Sequence, residues 1–146
     1  MKLLDGKIVK EDILLKLDNK IKELDEKIGL AVIQVGDNSA SNVYIRQKRK
    51  MAENLGYNFN HIKLDSNIRE EEIINVIDKL NNDDNIDGIL LQLPIPSNLN
   101  SKRIINTINP DKDVDGLTDI NIGRLVSNSE GLYPCTPSGI MSLLYP

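Results

Sequence analysis

The chain has 146 residues, a usual length for one domain, and its 18 Lys and Arg against 22 Asp and Glu leave a formal net charge of -4. That balance argues against a general nucleic-acid binder, although local basic groups can still serve an anionic small substrate. A single cysteine, Cys135, excludes an internal disulfide framework and suits a reducing cytoplasm; Met1–Lys10 carries no signal-peptide pattern, and no apolar run nears the ~18 residues that a membrane span needs.

Ile13, Leu14, Leu17, Ile21, Leu24 and Ile28 recur at helical spacing among acids and lysines, which predicts an amphipathic helix over 10–28, ended by Gly29. Leu30–Val35 is a short, β-branched apolar run, the mark of a buried strand. Gly36-Asp37-Asn38-Ser39 supplies a turn with capping residues, and a helix follows from about Ala40 to Leu55, stopped by Gly56. A second strand spans Tyr57–Leu64; its alternation of Tyr57, Phe59 and His61 slips at Ile62 and Leu64. Acids open a helix over Glu70–Leu80, a polar turn covers 81–85, and a third strand spans Ile86–Leu93. Further helices are predicted over Leu99–Ile108, Ile120–Val126 and from Ser138 onward. Strands alternating with helices imply βαβ crossovers, hence a three-layer αβα domain with a mainly parallel sheet. The apolar Ile140–Leu144 runs straight into Tyr145-Pro146; it reads either as a short terminal helix packed on this domain or, preferred here, as the start of a helix leading to a further domain.

In open parallel sheets ligands bind beyond the carboxyl ends of the strands. Gln92 closes the third strand there. Tyr44 and Lys48 stand four residues apart in the helix after the first strand and so share a face. The loop Lys112-Asp113-Val114-Asp115-Gly116-Leu117, stiffened by Pro110, can reach the same rim. Each group also fits a purely structural role: an i,i+4 surface pair, a strand-end amide satisfying loose backbone, or turn aspartates bonding their own loop. His61, on a strand, and Cys135, with no His in its loop, read as structural. There is no Cys/His cluster or EF-hand spacing for a metal, and no Gly-x-Gly or Walker-type loop for a nucleotide.

Four ordered motifs lie between about residue 35 and residue 139: Val35-Gly36-Asp37 with Ser39–Ile45 and Lys48; Asp87–Pro96; Pro110–Gly116; and Pro134–Gly139. Together they closely resemble the bifunctional methylenetetrahydrofolate dehydrogenase/methenyltetrahydrofolate cyclohydrolase family, and the whole chain resembles that family's N-terminal catalytic domain. The resemblance implies a domain over 1–137, with 138–146 opening the helix toward an NADP-binding Rossmann domain that this sequence does not contain. It implies a folate substrate, NADP as cofactor bound mainly by that other domain, a homodimeric parent enzyme, and a cytoplasmic role in one-carbon supply for purine biosynthesis. Residue by residue, Lys48 resembles the catalytic lysine, Gln92 its hydrogen-bond partner, Tyr44 the tyrosine stacked on the substrate's aromatic ring, and Asp115 the aspartate that grips the pterin; Lys112 and Asp113 shape the loop. Leu117-Thr118-Asp119 departs from the Phe-His-Pro often found there.

The residue types suit the implied chemistry. Hydride transfer from the methylene bridge is the cofactor's step, whereas hydration of the methenyl cation needs proton transfers near neutral pH. A lysine amine can take that proton only when uncharged, a form that burial or a neighbouring cation favours. The Gln92 amide oxygen can orient such an amine without adding charge, and the Asp115 carboxylate can accept two hydrogen bonds from pterin N–H groups. Tyr44 offers a flat face to an aminobenzoyl ring. Two other readings remain: an isolated, non-catalytic folate-binding domain, and a partner-binding α/β domain with no ligand.

Overall fold

The computed structural model of the chain describes residues 4–24 and 26–145. Its elements are α1 (Gly6–Ile21), β1 (Gly29–Val35), α2 (Ser39–Asn54), β2 (Asn58–Leu64), α3 (Glu70–Asn81), β3 (Gly88–Gln92), α4 (Ser101–Ile105), α5 (Asp119–Val126) and α6 (Cys135–Leu144). The three strands form one parallel sheet in the order β2-β1-β3. An isolated parallel bridge between Ile89 and Asp113 lays the 112–113 backbone alongside β3.

The central strand explains the layering. Its residues alternate between faces. Ala31, Ile33 and Val35 enter a core with Ile73, Ile77 and Leu80 of α3, Ile89 and Leu91 of β3, and Ile104 of α4. Val32 faces the other way, against Ile45 of α2 and Leu90 of β3, with Leu30, Phe59 and Val114 alongside. Helices therefore cover both faces, as expected for a three-layer α/β domain. The slip in the β2 pattern has the same origin: Phe59 serves the α2 face, whereas Ile62 and Leu64 serve the α3 face.

Several element bounds differ from the sequence-based expectations. The first helix starts at Gly6 behind the Asp5 N-cap, whose carboxylate accepts from the Lys7 amide at 2.9 Å, and it ends at Ile21 rather than 28. Gly29 does not cap it; Gly29 opens β1, pinned by its amide to the Asp87 carboxylate (2.7 Å). The apolar period persists past Ile21 because Ile28 lines a cavity; Asp25, within the predicted helix, lies outside the described residues, as do Met1–Leu3 and Pro146. The helix predicted over Leu99–Ile108 is only Ser101–Ile105. The Asn106 amide and the Thr107 hydroxyl donate to the Lys102 and Ile104 carbonyls, and such local side-chain bonds compete with helix propagation. Conversely α6 starts at Cys135, three residues early, because Pro137 sits in the first turn, where a missing N–H costs nothing. The expected boundary at 137/138 thus falls inside a helix. No helix among the described residues is long and apolar enough to cross a membrane.

Candidate active site

The α2-facing side of the sheet changes character toward its carboxyl rim. Its rows run Leu30 with Phe59 and Gly88, then Val32 with His61 and Leu90, then Gln34 with Lys63 and Gln92. The last row is wholly polar; α2 meets Gln34 and Gln92, and Asp37 in the turn before it pairs with Lys63. Ile45 anchors that helix in the core at 3% exposure, which sets Lys48, three residues on, against the rim. The Lys48 Nζ donates to Gln92 Oε1 at 3.0 Å. Gln92 Nε2 donates to the Leu93 carbonyl at 2.7 Å, so the amide presents its oxygen to the amine. Gln34 makes the neighbouring bridge: its Nε2 donates to Asn42 Oδ1 at 2.8 Å, and its Oε1 meets His61 Nε2 at 3.0 Å. Burial first, then the nearby Arg49 and Lys63 charges, hold the His61 pKa below its ordinary value, so the imidazole is neutral near pH 7.

Below the rim, α1, α2, the sheet and the 114–115 loop enclose a cavity of about 780 Å³. Lys48, Asp87, Asp115, Cys135 and Thr136 form its polar part, and Leu17, Leu30, Tyr57, Leu90 and Val114 stand among its apolar walls. A large apolar pocket with a few convergent polar groups is the usual form of a small-molecule site. The loop reaches it because Val114 packs against Gly88, where a Cβ would come within 2.5 Å of Val114 Cγ1. Gly116 follows at φ +64, and a Cβ there would meet the Tyr133 carbonyl carbon at 2.6 Å. Only glycine fits both the left-handed backbone and the close approach. Cys135 closes the far wall, its Sγ donating to the Val114 carbonyl at 3.2 Å. Burial, then the Asp115 carboxylate beside it, push the Cys135 thiol up, with Lys48 acting in the opposite sense. A thiol held protonated is a poor nucleophile, and Lys48, Asp115 and Cys135 line one cavity.

Residues 4–115 match the family described as tetrahydrofolate dehydrogenase/cyclohydrolase, catalytic domain. The chain belongs to that family. Among similar proteins, a bifunctional protein FolD of Vesicomyosocius okutanii is 45% identical over 99% of this chain and 52% of its own length, and one from Staphylococcus aureus (strain bovine RF122 / ET3-1) is 44% identical over 98% and 51%. The crystal structure of the bifunctional FolD dehydrogenase/cyclohydrolase from Campylobacter jejuni superposes with a TM-score of 0.94 at 42% identity, over 99% of this chain and 52% of that one. The Trypanosoma brucei FolD structure, complexed with NADP cofactor and inhibitor, does so with a TM-score of 0.88 at 29% identity, over 96% and 50%. The chain therefore spans about half the length of the curated relatives it matches.

Within this family domain, the sequence-predicted residues divide in two. Lys48 and Gln92 are directly bonded, and Lys48 and Asp115 line one cavity. Tyr44 stands 59% exposed on the flank of α2 that carries Lys48, outside the cavity lining, as befits an entrance rather than a floor. Lys112 shapes the loop from behind: its amine donates to the Leu80 and Asp83 carbonyls at 3.2 and 2.9 Å, capping the end of α3. What sequence reasoning missed is the apolar half of the pocket. By sequence Leu17 belongs to a helix face and Tyr57 to the start of a strand, and no local pattern marks their convergence. Cys135, which the sequence reads as structural, lines the site all the same, as a protonated wall residue.

Proposed function

We propose that this chain is the folate-handling half of a methylenetetrahydrofolate dehydrogenase/methenyltetrahydrofolate cyclohydrolase, which oxidises 5,10-methylenetetrahydrofolate with NADP and hydrolyses the methenyl product to 10-formyltetrahydrofolate. The observation that carries this reading is the Lys48–Gln92 pair at 3.0 Å, at the rim of a cavity that also holds Asp115. The pterin enters the cavity and gives its amino and ring N–H groups to the Asp115 carboxylate. The aminobenzoyl ring lies over the exposed face of Tyr44. The one-carbon bridge then stands at the rim, beside the Lys48 amine.

Gln92 aims that amine and brings no charge to compete with a cationic substrate. In hydrolysis Lys48 takes a proton from the attacking water as its oxygen bonds to the methenyl carbon. Lys48 returns that proton to the ring nitrogen as its bond to the carbon breaks, and the remaining hydroxyl proton leaves to water as the formyl C=O forms. NADP supplies the hydride acceptor in the oxidation. The chain has no Gly-x-Gly turn to hold a dinucleotide, so that site belongs to a second domain, and the chain alone does not reduce NADP. The parent enzyme is a homodimer of the cytoplasm serving purine biosynthesis.

The test is ligand-induced stabilisation. A folate that binds only the folded chain raises its melting temperature with concentration. Tetrahydrofolate should do so for this chain, and Asp115→Ala should reduce the shift at a given concentration while leaving the unliganded melting temperature in place. No shift with the unaltered chain would overturn the reading.

A further inference from the structure

Asp113 is the only Asp or Glu buried among the described residues, at 1% exposure, and no Lys, Arg or His pairs with it there. A buried carboxylate without a cation is costly unless hydrogen bonds satisfy it. Both of its bonds converge on the start of α5. Asp113 Oδ2 accepts from the Thr118 amide at 2.8 Å and from Asn121 Nδ2 at 3.0 Å. Thr118 is itself the α5 N-cap, and Asn121, fully buried, donates a second time to the Pro110 carbonyl at 2.8 Å. The carboxylate thus ties both ends of the 110–118 segment to one helix terminus, whose dipole favours a negative charge.

The backbone around it is held as firmly. The Ile89 amide donates to the Lys112 carbonyl at 2.7 Å, and the Gly116 amide to the Asp113 carbonyl at 3.0 Å. Asp115 therefore hangs in a two-residue span between fixed points, its carboxylate beside the Cys135 thiol, and its direction into the cavity is inherited from the turn.

We propose that Asp113 is a positioning residue for Asp115: its buried carboxylate, bonded to Thr118 and Asn121, sets the turn that points Asp115 at the ligand. The inference rests on the folate reading above. It separates two aspartates that lie two residues apart in one motif, one gripping the ligand and one gripping the protein.

A double-mutant cycle tests it, with tetrahydrofolate binding to this chain followed by calorimetry. Asp115→Ala should weaken binding by at least about tenfold, and Asp113→Ala by about tenfold, but the two together should cost no more than Asp115→Ala alone, because a residue that acts only through another has nothing to add once that other is gone. Asp113→Asn keeps one acceptor and most of the shape; it should bind several-fold more weakly, and again show no effect in the Asp115→Ala background. It carries the cycle if Asp113→Ala does not fold. Losses that multiply in the double variant, or unimpaired binding by Asp113→Asn and Asp113→Ala with Asp115→Ala impaired, would overturn the positioning role. Unimpaired binding by Asp115→Ala would instead remove the folate reading beneath it.

Discussion

Lys48 and Gln92 lie 44 residues apart, and their 3.0 Å contact depends on two unrelated anchors. Ile45 fixes the helix, and the Leu93 carbonyl fixes the amide. Neither anchor is chemically reactive, yet each sets the direction of a group that is. Replacing the amine by an apolar group of similar length removes the proposed proton carrier and leaves the packing. With the nicotinamide-binding half of a relative supplied in cis, Lys48→Met should lower cyclohydrolase turnover by about 10²–10⁴-fold, the usual range for a lost acid-base group, with an unchanged circular dichroism spectrum. Turnover within a few-fold of the unaltered protein would take the proton transfers away from Lys48.

The helices divide by how much they bury. On α3, Ile73 and Ile77 are fully buried and Leu80 nearly so, all within one core. On α1 no described residue is buried, and Ile8 is 66% exposed. Stability should follow that division. Ile77→Ala is expected to cost about 3 kcal/mol, combining lost transfer energy with the cavity left behind, whereas Ile8→Ala should stay within about 0.5 kcal/mol; urea denaturation reads both. A small effect at Ile77 would mean that the α3 face can collapse into the gap. The same contrast explains what the sequence could reveal. The buried strand Leu30–Val35 and the acid-opened α3 were legible because burial writes a period into the chain. The early end of α4 was not, because it depends on Asn106 and Thr107 turning back onto carbonyls, residues equally at home in a longer helix. Motif residues such as Lys48, Gln92 and Asp115 could be picked out, but the pocket walls at Leu17 and Tyr57 exist only through tertiary contact.

At the scale of the whole molecule, the sheet and the ligand loop behave as one piece. The 112–113 backbone pairs with β3, Val114 joins the α2-side core, and Lys112 caps α3, so the loop touches both faces of the domain. Loops on a protein surface generally open far more readily than the core beneath them. Here the amides of Ile89, Gly116 and Thr118 are all spent on bonds to or within the 112–116 turn. In deuterium exchange these amides should therefore keep pace with Val32 and Ile33 at the centre of the sheet, and lag well behind the exposed turn at Ser127–Glu130. Fast exchange at Gly116 and Thr118 would show the turn opening on its own. If it does not, the grip proposed for Asp115 has no local release: to loosen Asp115 the protein must breathe through its sheet, and the residence time of a folate held there becomes a measure of how often that sheet opens.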